Sequence, residues 1–447
     1  MNITKAKQVL HLALPLILQQ LCLQMQVWID RAMLGHLNPD FFSAIGNAGT
    51  PYYMVLSAIT AVCGASAILV AQGIGAQNLS RVQAIAGASI LGSGILSVIV
   101  FFCFYFGTDG LFHLMGVQSP ILEYSTIYIR ILSFSLLFLG PSATATAILQ
   151  GIGFTNVIMA TGIAGNFLNI LLDWLLIFGK WGFPALGIEG AALATVISNL
   201  FSSCLAIYYV LRSPRMPFRP DLRGSPIRLL GSYRRVLQLG IPSALEYALW
   251  NAGNLILVSY LNRVDMMAAG IYTLVFSIET IPLLIYMGFA NAGLTLVGQQ
   301  IGARDSRQAT RTGLVCLGLS LAVCMLMAVL FQLLPHQILE LFTDDHAIVT
   351  TAVPYLAFIS WILFPKAVNN VIGLCIRGMG DTRWMLYTQV FGTAFMVLGG
   401  YCFILHWKFG LSGIFITLLC DESIRSIANL VRFFAVPQYE KLQQQIT

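Results

Sequence analysis

Charged side chains are scarce in this sequence. They make up 9% of its 447 residues, whereas soluble domains contain about 25%. Hydrophobic residues make up 57% of the chain, and the mean hydropathy is +0.81. A soluble chain of this length cannot bury so much apolar surface, so the composition excludes a soluble globular protein and indicates that most of the chain lies in lipid.

Sequence motifs that drive or catalyse reactions are also missing. There is no GxxxxGK[ST] loop, and the segments between apolar runs leave no room for a nucleotide-binding domain, which excludes direct use of ATP. No HExxH or GxSxG pattern occurs, and the six histidines are scattered. We therefore expect no enzyme and no cofactor. The nine cysteines contain no CxxC pair, which favours small buried apolar roles over metal or disulfide sites.

Apolar runs long enough to cross a membrane recur along the whole chain. A bilayer core of ~30 Å requires about 20 residues of helix. The runs predict an all-α membrane protein with twelve transmembrane helices, at approximately 10–36, 43–72, 84–108, 121–150, 155–180, 187–212, 236–262, 267–300, 312–334, 349–376, 383–407 and 411–436.

The chain contains an internal repeat with one constant register shift. Pro15 recurs as Pro242, and under the same shift the segment VAQGIGA at 70–76 recurs as VGQQIGA at 297–303. One register held over most of the first half indicates a duplicated unit.

Each repeat contains six predicted spans, and because six is even, both repeats enter the membrane from the same side. Repeats of this kind are related by a pseudo-two-fold axis along the membrane normal. We therefore predict two six-helix lobes, an N-lobe at 1–210 and a C-lobe at 236–447, joined by an Arg- and Pro-rich cytoplasmic linker at 211–235.

Lys and Arg concentrate in alternate loops, including the linker and the loops near Arg81, Arg304 and Arg383. Since Lys and Arg favour the cytoplasmic side, this bias predicts two cytoplasmic termini. We separately expect a multi-pass protein of the inner or plasma membrane and a prokaryotic source. These Lys and Arg residues lie in short loops with no soluble domain around them, so we expect no nucleic-acid partner.

Two carboxylates lie inside apolar stretches of the N-lobe. An ionisable side chain in a spanning helix is costly unless it is paired or solvated, which makes Asp30 and Asp173 candidate functional residues. Gln26 precedes Asp30 by four residues and Asn169 precedes Asp173 by four, so each amide lies on the same helix face as its carboxylate. Thr195 adds a hydroxyl from the sixth span.

This residue set is suited to either of two roles. The oxygens of Asp30, Asn169 and Asp173 are able to ligate Na⁺, or one carboxyl is able to carry a proton. The sequence is compatible with both roles, Na⁺ binding and proton binding. The repeat maps Asp30 onto Leu257 and Asp173 onto Gly400, so the predicted site belongs to one lobe only.

The C-lobe has charges of its own. Glu246, Glu279 and Lys366 lie in the seventh, eighth and tenth predicted spans, and a base among acids suggests a neutralised network, either functional or structural. In the last span, Asp421 and Arg425 are one turn apart and are expected to compensate each other.

Pro15 lies about four turns before Asp30 in the first predicted span. A proline in a helix removes a backbone hydrogen bond and permits a bend. Pro15 has two interpretations. Either it bends the helix and so moves Asp30, or it is a proline at the start of the helix.

At these residues the chain resembles the multidrug and toxic compound extrusion (MATE) family. No single motif is specific, but together they are, and the resemblance covers nearly the whole chain. The motifs that carry it are IDRAMLGHL at 29–37, VAQGIGA at 70–76, NILLD at 169–173, FPALGIEGAALAT at 183–195, VGQQIGA at 297–303 and LCIRGMGDT at 374–382.

The resemblance implies a twelve-helix, two-lobed antiporter that opens alternately to each side of the membrane. It implies export of cationic or amphiphilic compounds in exchange for H⁺ or Na⁺. The family's acidic site in the N-lobe falls on Asp30 and Asp173, and its bending proline on Pro15. Glu246 matches an acid that many members carry in the seventh span. Some members have an Asp in the tenth span where this chain has Lys366, which moves the expected coupling site to the N-lobe.

We expect small organic cations or amphiphiles as substrates and a monomer in the bilayer. A cavity lined by Met25, Trp28, Met33, Tyr52 and Tyr53 would offer apolar and cation–π contacts. The alternative is a lipid-linked saccharide flippase of the same superfamily. Such flippases usually have a more basic cavity and often extra spans, and the acidic pair argues against one.

Overall fold

The computed structural model describes residues 3–35, 39–119 and 121–435, and these contain α-helices and no strand. Residues 1–2 and 436–447, at the termini predicted to be cytoplasmic, lie outside these ranges. The helices are α1 (Ile3–Gly35), α2 (Pro39–Gly75), α3 (Leu79–Leu114), α4 (Ile121–Ser133), α5 (Leu136–Ile152), α6 (Thr155–Phe178), α7 (Ile188–Arg212), α8 (Pro226–Asn262), α9 (Met266–Gly302), α10 (Ser306–Leu333), α11 (Pro335–Glu340), α12 (His346–Gly378), α13 (Thr382–Gly400) and α14 (Leu411–Phe434).

The predicted all-α membrane architecture is confirmed. Within the described ranges, nine helices are long and apolar enough to cross a membrane singly, and the bent pair α4 and α5 makes ten if the pair is counted as one span. Helices α8 and α14 coincide with the predicted seventh and twelfth spans but are more polar. Four charged side chains on α14 account for its polarity: Asp421, Glu422, Arg425 and Arg432. The count of twelve spans stays a prediction for α8 and α14.

The fourth predicted span is broken into α4 and α5, whose axes differ by 50°. Two hydroxyls at the break bond to the carbonyls of the last turn of α4. Ser133 Oγ donates to the Arg130 carbonyl and Ser135 Oγ to the Leu132 carbonyl, each over 2.7 Å. Such bonds compete with helix continuation and favour a bend. Tyr52 Oη lies 2.7 Å from Ser135 Oγ, which fastens the break to α2.

The chain forms two compact units, one comprising Met1–Ile17 with Leu245–Thr447 and the other Leu18–Ala244. Helices α1 and α8 therefore each contribute to both units. The two division points are equivalent positions of the sequence repeat, because the shift that maps Pro15 onto Pro242 also maps Leu18 onto Leu245. Helix α8 begins at Pro226, inside the segment assigned above to the linker, because proline is well suited to the first turn of a helix.

Helices α6 and α7 pack at close range because Gly190 lacks a side chain. A Cβ atom at Gly190 would come within 2.7 Å of the backbone carbon and oxygen of Leu176. Small residues allow this kind of close backbone approach between spanning helices. The approach brings Asn169 of α6 next to Thr195 of α7.

We expect Gly190→Ala to separate α6 from α7 and to lower stability by about 1–3 kcal/mol, as overpacked sites do. The measurement is the thermal unfolding temperature of the purified protein in detergent. Gly107→Ala is the matched control, because a Cβ atom there would meet nothing within 4 Å. Equal unfolding temperatures for the two variants would contradict the packing argument.

Candidate functional site

The carboxyl groups of Asp30 on α1 and Asp173 on α6 lie close enough to interact with each other. Asp173 is 0% exposed, and Asp30 is half-buried. Two carboxylates at close range repel each other when both are ionised. The two acids therefore belong to one site rather than to two separate surfaces.

Two amides adjoin this pair. Asp30 interacts with Gln26, and the side-chain amides of Gln26 and Asn169 are hydrogen-bonded to each other. With both amides turned, so that Asn169 donates and Gln26 accepts, Asn169 Nδ2 also donates to Asp173 Oδ2 over 3.2 Å. We call Gln26, Asp30, Asp173 and Asn169 the polar ring. Its two i, i+4 pairs are the ones expected from the sequence, and tertiary packing joins them.

Thr195 approaches the ring through its backbone. The backbone N–H of Thr195 lies 3.3 Å from Asn169 Oδ1 in the same amide orientation. Its hydroxyl, which the sequence predicts to face the site, donates instead to the Ala191 carbonyl of its own helix over 2.9 Å. Threonine commonly makes this local bond within helices.

Tyr128 on α4 is a neighbour of the site that sequence reasoning missed. It interacts electrostatically with both Asp30 and Asp173, and also with Tyr52 and Tyr53. The only sequence signal is its repeat partner, Tyr355, which suggests a structural role. Because tyrosine occurs at this position in both repeats, the sequence does not indicate that Tyr128 lies near two carboxyl groups.

The C-lobe has apolar residues at the equivalent positions. Leu257 and Gly400, the repeat partners of Asp30 and Asp173, adjoin each other so closely that a Cβ atom at Gly400 would clash with Leu257 Cδ2. The partners of Gln26 and Asn169 are Gly253 and Met396, which also meet: a Cβ atom at Gly253 would lie 3.2 Å from Met396 Sδ. At equivalent positions where two helices meet, the N-lobe therefore has the polar ring and the C-lobe has apolar side chains.

The five residues expected to line a cavity divide into two groups. Met25, Trp28 and Tyr53 are exposed, by 56%, 40% and 48%. Tyr52 is 5% exposed and bonded to Ser135. Met33 packs against the buried cluster of Leu34, Ile177 and Ala191. Tyr52 and Met33 therefore belong to the packing of the lobe.

The C-lobe acids expected from the sequence are both neutralised by bases. Glu279 Oε1 lies 2.6 Å from Lys366 Nζ, which also lies 5.3 Å from the centre of the Phe276 ring. Glu246 Oε2 lies 2.6 Å from an amino nitrogen of Arg377. The apolar runs place Arg377 in a loop, but α12 extends to Gly378 and carries it as a half-buried partner of Glu246.

The expected compensation of Asp421 by Arg425 is present on α14. Arg425 Nε and one amino nitrogen both donate to Asp421 Oδ2, over 3.0 and 2.7 Å. The guanidinium also donates to Glu422 Oε1 over 3.1 Å and to Gln389 Oε1 of α13 over 2.8 Å.

Pro15 lies inside α1, which begins at Ile3. It is therefore an interior proline, and the alternative of a helix-start proline does not hold. Proline has no N–H, so the carbonyl four residues earlier, at His11, loses its helical donor. This leaves a point of weakness in the helix that carries Asp30.

The MatE family model matches the chain twice, at residues 15–175 and 242–402. The matches begin at Pro15 and Pro242, which are equivalent positions of the repeat, so each match covers one repeat. The chain belongs to the MatE family. Its members include proteins described as multidrug resistance MATE family transporters.

Known proteins resemble the chain along nearly its full length. The probable multidrug resistance protein NorM of Thermotoga maritima is 25% identical over 439 residues, covering 97% of this chain and 93% of that protein. Two solved structures, described as MATE in the straight and in the bent conformation, each share 22% identity. Their TM-scores are 0.90 and 0.89, and both alignments cover 98% of this chain and 97% of theirs. The fold of this MatE chain is therefore that of a two-lobed MATE transporter.

For the polar ring, we expect Asn169→Leu to lower the free energy of unfolding by about 1–3 kcal/mol, because it removes the buried amide that bonds to Gln26 and adjoins Asp173. Thr195→Val is the matched control. Its lost hydroxyl served only its own helix, so its unfolding temperature is expected to stay at the wild-type value. Thermal unfolding of both purified variants measures the difference, and a larger loss for Thr195→Val would contradict the assigned geometry.

Proposed function

We propose that this MatE chain is a secondary antiporter that exports organic cationic or amphiphilic compounds in exchange for H⁺ or Na⁺. The observation that carries the proposal is the polar ring, present in one lobe and replaced by apolar contacts at the equivalent positions of the other. The name of the Thermotoga maritima relative, a probable multidrug resistance protein, supports the substrate class.

The ring suits the binding and release of one small cation. Two carboxyl groups in contact in an apolar lobe cannot both be ionised without strong repulsion. A proton between them removes the repulsion, and Na⁺ would do so by ligating the carboxylate and amide oxygens. The chemistry of the ring supports both ions, and transport measurements distinguish them.

Release of the ion would change the contact between α1 and α6. Asp30 and Pro15 lie on the same continuous helix, α1, so repulsion between Asp30 and Asp173 acts on a helix that is already weakened at Pro15. This link between ion occupancy and helix shape is what alternating access requires. The relatives solved in straight and bent conformations fit such a change.

The exposed residues near Asp30 suit amphiphilic cations. Met25 and Trp28 lie within two turns of Asp30 on α1, and Tyr53 is exposed on α2. Thioether and aromatic groups of this kind bind apolar bodies, and aromatic faces attract organic cations. We further propose that the protein is a monomer. We also propose that both termini lie in the cytoplasm, as the loop charges suggest.

We expect Asp30→Asn and Asp173→Asn each to reduce ion-driven efflux to background, a loss of about tenfold or more, because Asn keeps the size and polarity of Asp without its titratable charge. The measurement is dye efflux in everted membrane vesicles with separately imposed pH and Na⁺ gradients. The gradient that drives the wild type identifies the coupling ion.

Asp109→Asn is the matched control for these variants. Asp109 is an exposed acid of the same lobe, paired with Arg130 at 2.6 Å. We expect it to retain efflux. Full ion-driven efflux by both ring variants would refute the proposed coupling site.

For the bend, we expect Pro15→Ala to slow efflux about tenfold while leaving the unfolding temperature equal or higher, because alanine restores the helical hydrogen bond that proline lacks. Its repeat partner gives the matched variant, Pro242→Ala, on the helix that carries no ring residue. An equal loss of efflux in both variants would show that the bend in α1 has no special link to the ring.

A further inference from the structure

The C-lobe contains a second buried set of charges, outside the polar ring. Its five members are Glu279 on α9, Lys366 on α12, and Asp421, Glu422 and Arg425 on α14. Each is 7% exposed or less. We call these five residues the C-lobe network.

The members are joined by direct contacts and one amide. Lys366 bonds to Glu279 at one end of the network. Asn369, one turn after Lys366 on α12, donates to Glu422 Oε2 over 2.7 Å. Arg425 bonds to both Glu422 and Asp421, and Lys366 also interacts electrostatically with Asp421. The network is therefore a single electrostatic unit across three helices.

The formal charges of this unit do not balance. It has three carboxylates and two bases. The other charged groups near it are already paired, Glu246 with Arg377 and Asp381 with Arg432. The remaining titratable neighbours, Tyr272 and Tyr286 on α9 and Cys324 on α10, are neutral in their ordinary forms. The buried network is short of one positive charge, which is unfavourable away from water.

Two buried polar atoms near this deficit have no hydrogen-bond partner within the described part of the chain. They are Glu279 Oε2 and Tyr286 Oη, and Tyr286 interacts electrostatically with both Glu279 and Glu422. Each of the three carboxylates already contacts Lys366 or Arg425, and these bases repel a metal ion. A proton needs no added space and satisfies an oxygen directly.

We propose that the C-lobe network binds one proton, which makes it a second protonation site of this transporter. The site differs from Glu246, the C-lobe acid singled out by the family resemblance, because Arg377 neutralises Glu246. Both helices that carry the Glu279–Lys366 pair contain a proline close to it, Pro282 on α9 and Pro365 on α12. The Glu279–Lys366 end of the network therefore lies beside a proline on each of its two helices, where a helical backbone hydrogen bond is missing.

The test is infrared difference spectroscopy on protein reconstituted in lipid, which detects the C=O stretch of a protonated carboxyl group. The background is Asp30→Asn/Asp173→Asn, so that the polar ring contributes no signal. We expect a protonated carboxyl band at neutral pH in this background. Adding Glu422→Gln leaves two carboxylates for two bases, and the band is expected to disappear. Adding Lys366→Met leaves three carboxylates for one base, and the band is expected to grow.

Asp421→Asn and Glu279→Gln change the charge count in the same way as Glu422→Gln, so the test stands if one of these variants fails to fold. Glu340→Gln, at an exposed acid of the same lobe, is the control and is expected to leave the band unchanged. Absence of the band in the background protein, or its survival in all three carboxylate variants that fold, would overturn the proposal. Because the ring acids are absent throughout, neither result depends on the proposed coupling site.

Discussion

The low polarity of the membrane interior is the constraint on which this structure depends. A charge there is unfavourable unless a partner or water compensates it, and the buried charges of both lobes follow this rule. Glu279 meets Lys366, Glu246 meets Arg377, and Arg425 meets two carboxylates. The Asp30–Asp173 contact joins two acids of like charge, and under the proposed function a bound cation relieves their repulsion. That difference separates the structural ion pairs from the proposed ion site.

The duplicated fold explains how one frame holds two kinds of chemistry. In each repeat the first helix meets the fifth predicted span at the same pair of positions. The N-lobe places Asp30 against Asp173 there, and the C-lobe places Leu257 against Gly400. Backbone packing is thus retained while the side chains at the contact change from titratable to apolar. The C-lobe instead carries buried charges on α8, α9, α12 and α14, at positions with no counterpart in the polar ring.

Local features of the site were predictable and long-range ones were only partly so. The amide–carboxylate pairs Gln26–Asp30 and Asn169–Asp173 follow from four-residue spacing on a helix. The sequence predicts that the hydroxyl of Thr195 faces the site, but its helix offers a nearer acceptor at Ala191. Arg377 looks like a loop residue, because a base near the end of an apolar run resembles a membrane-surface base until its partner is known.

The sequence by itself determined that the chain is helical, spans a membrane, is duplicated in one constant register and carries charges inside its apolar runs. Composition, periodicity and repeats carry this information because they depend only on which residues are present and on their order along the chain. Only the tertiary structure decided that four side chains meet at one site, that Tyr128 lies near the two acids, and that Glu246 pairs with Arg377 rather than Lys366. These contacts join residues far apart in sequence, and they depend on how closely helices pack at positions such as Gly190, which helical periodicity does not encode.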